Sequence, residues 1–408
     1  MTDQEVSRQP FKRDMFEDFD FNDPEFNERF DDVIDEMAGK CPVAHSNVGH
    51  GYKVLNTYED VRNAARDWRT FSSAKGYLMN RPEGTPLILP EESDPPYHDK
   101  WRKVLNPFFA PGPIGGYEDN IRATANDLID TFIEKGRCDF VTEYAALLPG
   151  IVLFRYLVGV PESDLPQLFE GIDKGTFGPI EERATYFQWV NDYLADYLRS
   201  RSSQEAKGDV IDVIAEGVER PDGSPATFED KVAILLDVVF GGLATTTHAM
   251  AAAIGYLAEN DSTRRELVED PSLIPQAVEE FIRLMAPVVA PGRCVTQDTK
   301  IGDLELKEGD WVALNFAAAS RDPEVTENPT EVNIHRESVI HPAFGVGAHR
   351  CLGSHLARLE VRVTLEEFLR RVPDFEITAG TTPVTESAQL RTTTSLDITF
   401  PAGRKDES

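Results

Sequence analysis

This 408-residue sequence predicts a mainly α fold with small β-sheets, built as one large domain. Helical periodicity dominates from about residue 115 to 270, strand-like alternation is confined to short segments, and no Ser/Gly-rich linker divides the chain. Repeats with a period of roughly 20 to 50 residues are absent, which sets aside solenoids and propellers.

Residues 1 to 40 alternate Phe16, Phe19, Phe21, Phe26 and Phe30 with acids, 13 acidic against 5 basic side chains. They read either as an acidic arm that lays a few rings on the body before a first short helix or, equally, as a partly disordered tail; residues 41 to 408 form the domain proper. The start of the chain has no apolar stretch, so no targeting or anchoring segment is expected there. The whole chain has a formal charge of −30. That surface repels phosphate backbones and anionic lipid, which argues against nucleic-acid and membrane partners. Cys41, Cys138, Cys294 and Cys351 lie far apart, so neither a disulfide framework nor an all-cysteine metal site is expected, and a cytoplasmic setting fits.

"GYKVLNTYEDV" (51 to 61) reads as a strand running into a helix. The segment 228 to 259 then reads as one helix of about 48 Å. Thr227 is its N-cap, and Glu229 and Asp230 favour the positive end of its dipole. Val238 to Leu257 carries no formal charge, but three consecutive threonines, His248 and acidic flanks favour a buried core helix over a membrane span. Gly241 and Gly242 each cost such a helix about 1 kcal/mol relative to Ala. Either close helix packing or a widened turn that admits a ligand and frees a threonine hydroxyl accounts for them. Pro275 and Pro287 bracket a further helix in which Glu280 and Arg283 share a face; alone, they read as a surface pair contributing under ~1 kcal/mol. Strands return in "TKIGDLELKEGDWVALNF", with a Gly302-Asp303 turn, and in "TSLDITF".

"FGVGAHRCLGSHLARLE" (344 to 360) carries the chemistry. A dinucleotide fingerprint fails because Arg350 stands where a third glycine is needed. A zinc site at His349, Cys351 and His355 lacks both spacing and a fourth ligand. Leu352, Leu356, Leu359 and Val363 recur at helical spacing, so Cys351 sits at a helix start, where free amides favour a negative sulfur. Gly345, Gly347 and Gly353 remove bulk on both sides, so a flat cofactor can lie against the backbone. A merely structural cysteine leaves those glycines without a reason.

Phe344, Gly347, Cys351 and Gly353 match F-x-x-G-x-x-x-C-x-G, and the chain thereby resembles the cytochrome P-450 family of haem-thiolate monooxygenases, in its soluble bacterial form, from roughly Cys41 to Phe400. The resemblance implies haem b with Cys351 as the iron ligand. It also implies haem contacts from Phe344, Gly345, Gly353 and Gly242, with His98, Arg102, Arg293 and His349 at the propionates. Glu280, Arg283 and Arg336 match the family's structural ion-pair network. Thr245 matches the threonine that serves dioxygen and proton delivery, but Ala244 stands where most relatives carry an acid, so Thr246, His248 or ordered water would have to substitute. By correspondence, Leu78 and the loop to Leu89, Phe177, Asp237, Phe240, Val288, Val289 and Leu390 line a substrate pocket for a small or medium hydrophobic molecule; Asp237 reads first as a solvent-linked structural carboxylate and second as a group that orients a polar part of the ligand.

The implied reaction inserts one oxygen atom from O2 into that substrate. Electrons would come from NAD(P)H through a separate ferredoxin and ferredoxin reductase, since no flavin or iron–sulfur module is evident. Lys100, Arg102, Lys103, Arg350, Arg358 and Arg362 would steer the acidic ferredoxin to the proximal face. The alternative is a haem-thiolate sensor or a haem-thiolate enzyme that does not oxygenate.

Overall fold

The computed structural model describes residues 11–79, 87–177 and 180–406. Its frame is the helix Phe228–Glu259, whose observed limits match the predicted ones. Thr227 and Asp230 close a reciprocal capping box: Thr227 Oγ1 accepts from the Asp230 N–H at 3.1 Å, and Asp230 Oδ2 accepts from the Thr227 N–H at 3.0 Å. The helices Ile180–Ser202, Ile274–Met285 and Ser354–Arg371 pack around it. Ile234, Leu235, Val239, Met250, Ile254 and Leu257 are fully buried as a result, each worth about 1.5–3 kcal/mol of hydrophobic stabilisation. Two runs, Val141–Val158 and Phe228–Glu259, are long and apolar enough to cross a membrane; in each, more than half of the apolar window is packed inside the protein.

The principal sheet has five strands in the order Val43–Ser46, Tyr52–Leu55, Trp311–Leu314, Gly292–Val295, Phe71–Ser72. Tyr52–Leu55 runs parallel to Trp311–Leu314, and Gly292–Val295 antiparallel to it with Arg293 opposite Val312. The Gly302-Asp303 turn joins Thr299–Ile301 to Leu304–Leu306 as expected. Near the C-terminus, Val384–Ser387 and Arg391–Ser395 form a hairpin, and Asp397–Thr399 pairs with Arg137–Asp139.

Residues 11 to 40 pack on the body. Phe19, Phe21 and Phe26 meet edge to face with centroids 4.6, 5.1 and 5.9 Å apart. Asp31 then bonds both Arg321, at 2.7 Å, and Arg391, at 3.4 Å. The arm's rings are therefore clamped by aromatic packing and by charge.

Candidate functional site

The cysteine loop is shaped by two glycines in the left-handed region. Gly347, at φ +77°, passes so close to the helix Tyr58–Arg66 that a Cβ would lie 2.9 Å from the Ala65 carbonyl; Gly345 has φ +70°. The Cys351 N–H donates to the Phe344 carbonyl at 2.7 Å and closes the turn. A Cβ on Gly353 would meet nothing within 4 Å, so this glycine borders open space just ahead of the helix Ser354–Arg371. Cys351 presents free surface, yet burial pushes its thiol up to about 11 against the Gly353 N–H and Arg102. The charges of Arg102, Glu91 and Asp237 act on it, so the cysteine loop, the segment after Pro90 and the long helix border one region. Burial outweighs the helix terminus that was expected to favour the thiolate, so a bound cation would be needed to ionise this sulfur.

Two arginines reach the same space. Among the described residues, Arg293 donates only to its neighbour's carbonyl, Gly292 O, at 2.7 Å, and Arg102 only to Asn106 Oδ1 at 3.1 Å. Neither forms an ion pair among the described residues, and burial lowers the pKa of both. His98 and His349 stack with centroids 4.4 Å apart. Ser73 Oγ lies 3.3 Å from His349 Nε2, and the buried His349 Nδ1 has no hydrogen-bond partner among the described residues. Burial, then Arg293, His98 and Arg102, push His349 down to about 2, and burial also lowers His98. Two unclaimed guanidiniums and an orphaned ring nitrogen lack an anion. Haem fits: its propionates would supply that charge and its plane the space cleared by Gly353.

Across the space runs the long helix. Thr245 Oγ1 donates to the Gly241 carbonyl at 2.9 Å. A Cβ on Gly242 would meet nothing within 4 Å, and one on Gly241 only Asp237 Oδ1 at 4.0 Å. The glycines thus keep open room rather than permit close packing. The widened turn is absent, because the helix is α throughout; the threonine's back-bond satisfies the carbonyl without breaking the ladder. Ala244 supplies no proton. Thr246 is buried, Thr247 donates to the Ala145 carbonyl at 3.1 Å, and His248 Nδ1 lies 2.9 Å from Thr393 Oγ1. Burial holds His248 down at about 3.

Several expected pocket residues do meet. Val288 bridges Leu390, and the Val289 N–H donates to the Gln389 carbonyl at 2.9 Å. The Gln389 side chain donates to the Tyr77 and Ala290 carbonyls and accepts from the Met79 N–H, each at 3.0 Å, which ties in the segment holding Leu78. Phe240 packs on Phe187, a residue the sequence did not single out, at 5.2 Å. The Phe177 side chain, and residues 80 to 86 of the Leu78–Leu89 loop, lie outside the described residues. Asp237 hydrogen-bonds Glu91, which stands just beyond the end of that loop. The only sequence signal for it was the adjacent pair Glu91-Glu92 after Pro90.

The ion pair is not a surface feature: Glu280 and Arg283 have no exposed surface. Arg283 Nε and Nη2 donate to the two Glu280 oxygens at 2.8 Å, and Arg336 Nε adds a third bond at 2.8 Å. Arg283 also donates to the carbonyls of Ser320, Pro329 and Glu331. Despite burial, these bonds hold the Glu280 carboxyl below its ordinary range. The network pins the segment that leads to the cysteine loop.

The expected basic patch is largely spent. Lys100 pairs with Glu219, Arg358 with Glu279, and Arg362 with Glu118 and Glu366, while Arg102 faces the interior space. Of the six cations, Lys103 and Arg350 alone are exposed with no ion-pair partner among the described residues.

The sequence pattern of the family described as Cytochrome P450 matches residues 154–396. Cytochrome P450 130 of Mycobacterium tuberculosis (strain H37Rv) is 33% identical over 346 residues, 80% of this chain and 83% of that protein. Cytochrome P450(MEG) of Priestia megaterium is 32% identical over 392 residues, 89% of this chain and 92% of that protein. The steroid C26-monooxygenase of Mycolicibacterium smegmatis is 32% identical over 336 residues, 80% and 82% respectively. Among solved structures, cytochrome P450 CYP101C1 superposes with a TM-score of 0.84 at 27% identity, covering 94% of this chain and 96% of that one.

Proposed function

The chain belongs to the cytochrome P450 family of monooxygenases, and from that premise we propose that it inserts one oxygen atom from O2 into a small or medium, largely hydrophobic organic substrate. Haem, when bound, supplies the oxygen-activating one-electron chemistry. Cys351 Sγ would hold its iron from the proximal side, and Arg102 and Arg293 its propionates, with His98 and His349 beside them. The observation that carries the reading is Cys351, on a loop cleared by glycines, near enough to Arg102 and to Asp237 of the long helix for their charges to act on it, with Arg102 and Arg293 lacking ion-pair partners among the described residues.

The residues divide the remaining work. The Thr245 hydroxyl parks its proton on the Gly241 carbonyl; turning it toward the groove makes that proton available at Oγ1. With Ala244 inert and His248 held by Thr393, water entering the groove completes the delivery. The apolar walls at Phe240, Val288, Val289 and Leu390 exclude bulk water and hold the substrate. Electrons reach the proximal face from a ferredoxin and its NAD(P)H-dependent reductase, with Lys103 and Arg350 as the free cations there. Four separated cysteines, and two apolar helices packed mostly inside the fold, support a soluble cytoplasmic setting.

A second reading, a haem-thiolate protein that does not oxygenate, is favoured by Ala244 alone. The reduced, carbon monoxide-treated protein is expected to show the red-shifted Soret band of sulfur-ligated haem, and Cys351→Ser to lose it. Turnover with ferredoxin, reductase and NADPH should then yield an oxygenated product. No such band sinks the family chemistry; the band with every electron recovered as peroxide or water favours the second reading.

A further inference from the structure

The substrate cavity contains a feature that a purely hydrophobic ligand does not use. Glu91, on the segment after Pro90, and Asp237, on the central helix, bring their carboxyl groups into hydrogen-bonding contact with each other. Neighbouring Glu92 is buried and structural, accepting from the Tyr77 N–H at 2.9 Å and the Ile88 N–H at 2.7 Å. Glu91, in contrast, keeps free surface. Asp237 Oδ1 lies 4.0 Å from where a Gly241 side chain would begin, one helical turn before Thr245. The pair therefore borders the stretch of helix where the chemistry is done.

No lysine or arginine hydrogen-bonds either carboxyl among the described residues. The cations that reach them through space are Arg293, toward Glu91, and Arg102, toward Asp237. Those are the same two guanidiniums that haem propionates would claim. Once they are claimed, two carboxyls remain in an otherwise apolar pocket with no positive partner of the protein's own. Burying charge without a partner is costly, and a ligand of opposite charge relieves that cost. Taking the monooxygenase reading as its basis, we propose that the substrate carries a cationic nitrogen, seated between Glu91 and Asp237, at the end of a hydrophobic body that lies along Phe240, Val288 and Leu390.

Burial and Glu92 raise both carboxyls, against Arg293 on Glu91 and Arg102 on Asp237; Glu91 raises Asp237 further, whereas the hydrogen bond with Asp237 lowers Glu91.

The test uses the haem-loaded protein with benzyltrimethylammonium and its uncharged carbon isostere, neopentylbenzene. A quaternary nitrogen cannot ligate iron, so it reports the pocket alone. Affinities are read by equilibrium dialysis and by the haem spin-state change. The cation is expected to bind at least about tenfold more tightly than the isostere, a difference one close charge pair can supply. Glu91→Gln combined with Asp237→Asn should abolish the preference while leaving affinity for neopentylbenzene and the carbon monoxide spectrum in place, which shows that the variant is folded. Equal or tighter binding of neopentylbenzene by the unaltered protein overturns the proposal, as does a preference that survives the double substitution. A missing red-shifted Soret band would instead overturn the haem-thiolate reading, and dialysis would still report the charge preference.

Discussion

Removing the Arg283 guanidinium should be among the most damaging single changes in this protein. Arg283→Met keeps the hydrophobic stem but deletes both bonds to Glu280 and the donations to the Ser320, Pro329 and Glu331 carbonyls. It leaves Glu280 fully buried, with Arg336 and the Asn333 N–H as its remaining partners. Breaking a buried pair from one side costs about 3–5 kcal/mol, a large share of the ~5–15 kcal/mol that holds a typical domain together. The lowered Glu280 pKa sets the sign of the pH dependence. Stability from this group is present above its unfolded pKa and is lost as pH falls through the folded value, so the variant's deficit should be full at neutral pH and shrink in acid. Urea unfolding at fixed haem saturation, followed by tryptophan fluorescence at pH 7 and under acid conditions, measures both effects. A loss below about 1 kcal/mol at pH 7, the size of a surface pair, would refute the assignment of this network as a buried keystone.

Other consequences follow from single contacts. Gly347→Ala places a Cβ 2.9 Å from the Ala65 carbonyl at a left-handed φ, and should cost about 1–3 kcal/mol and loosen haem binding; unchanged haem retention on dilution would count against that. Thr245→Ala should lower product formed per NADPH by about ten- to a hundredfold, with peroxide appearing instead, and Thr245→Ser should restore coupling; a fully coupled Thr245→Ala enzyme would remove the hydroxyl from the mechanism. Because Lys103 and Arg350 are the free cations of the expected patch, replacing both with Ala should cut the low-salt rate of reduction by ferredoxin about tenfold and flatten its salt dependence. The opposite pattern, with Arg362→Ala dominant, would show that ion-paired arginines are the ones recognised.

Much of the frame was legible because its signals are local. A cap at Thr227, an acid three residues on and a charge-free run specify one helix by near-neighbour hydrogen bonding, and the hairpin turn at Gly302-Asp303 needs only two residues. The glycines around Cys351 announced a flat ligand for the same reason, since each reflects the conformation or clearance of its own backbone. The reading was weakest wherever charge was concerned. Taken alone, Glu280 and Arg283 read as an ordinary helical pair, and only the family resemblance marked them as a structural network with Arg336; Arg358 and Arg362 read as free surface cations, because a sequence shows a side chain's charge but not its surroundings.

By itself, then, the sequence determined the helical frame, the sulfur at position 351 and the cleared backbone on either side of it. The tertiary structure alone decided which charges are free, which are buried and which face each other: Glu279 against Arg358, Glu280 against Arg283 and Arg336, Glu91 against Asp237. The physical reason is range. Backbone conformation and capping are settled among residues a turn or two apart. The energy of a charge depends on solvent exclusion and on partners that chain folding brings together from distant segments.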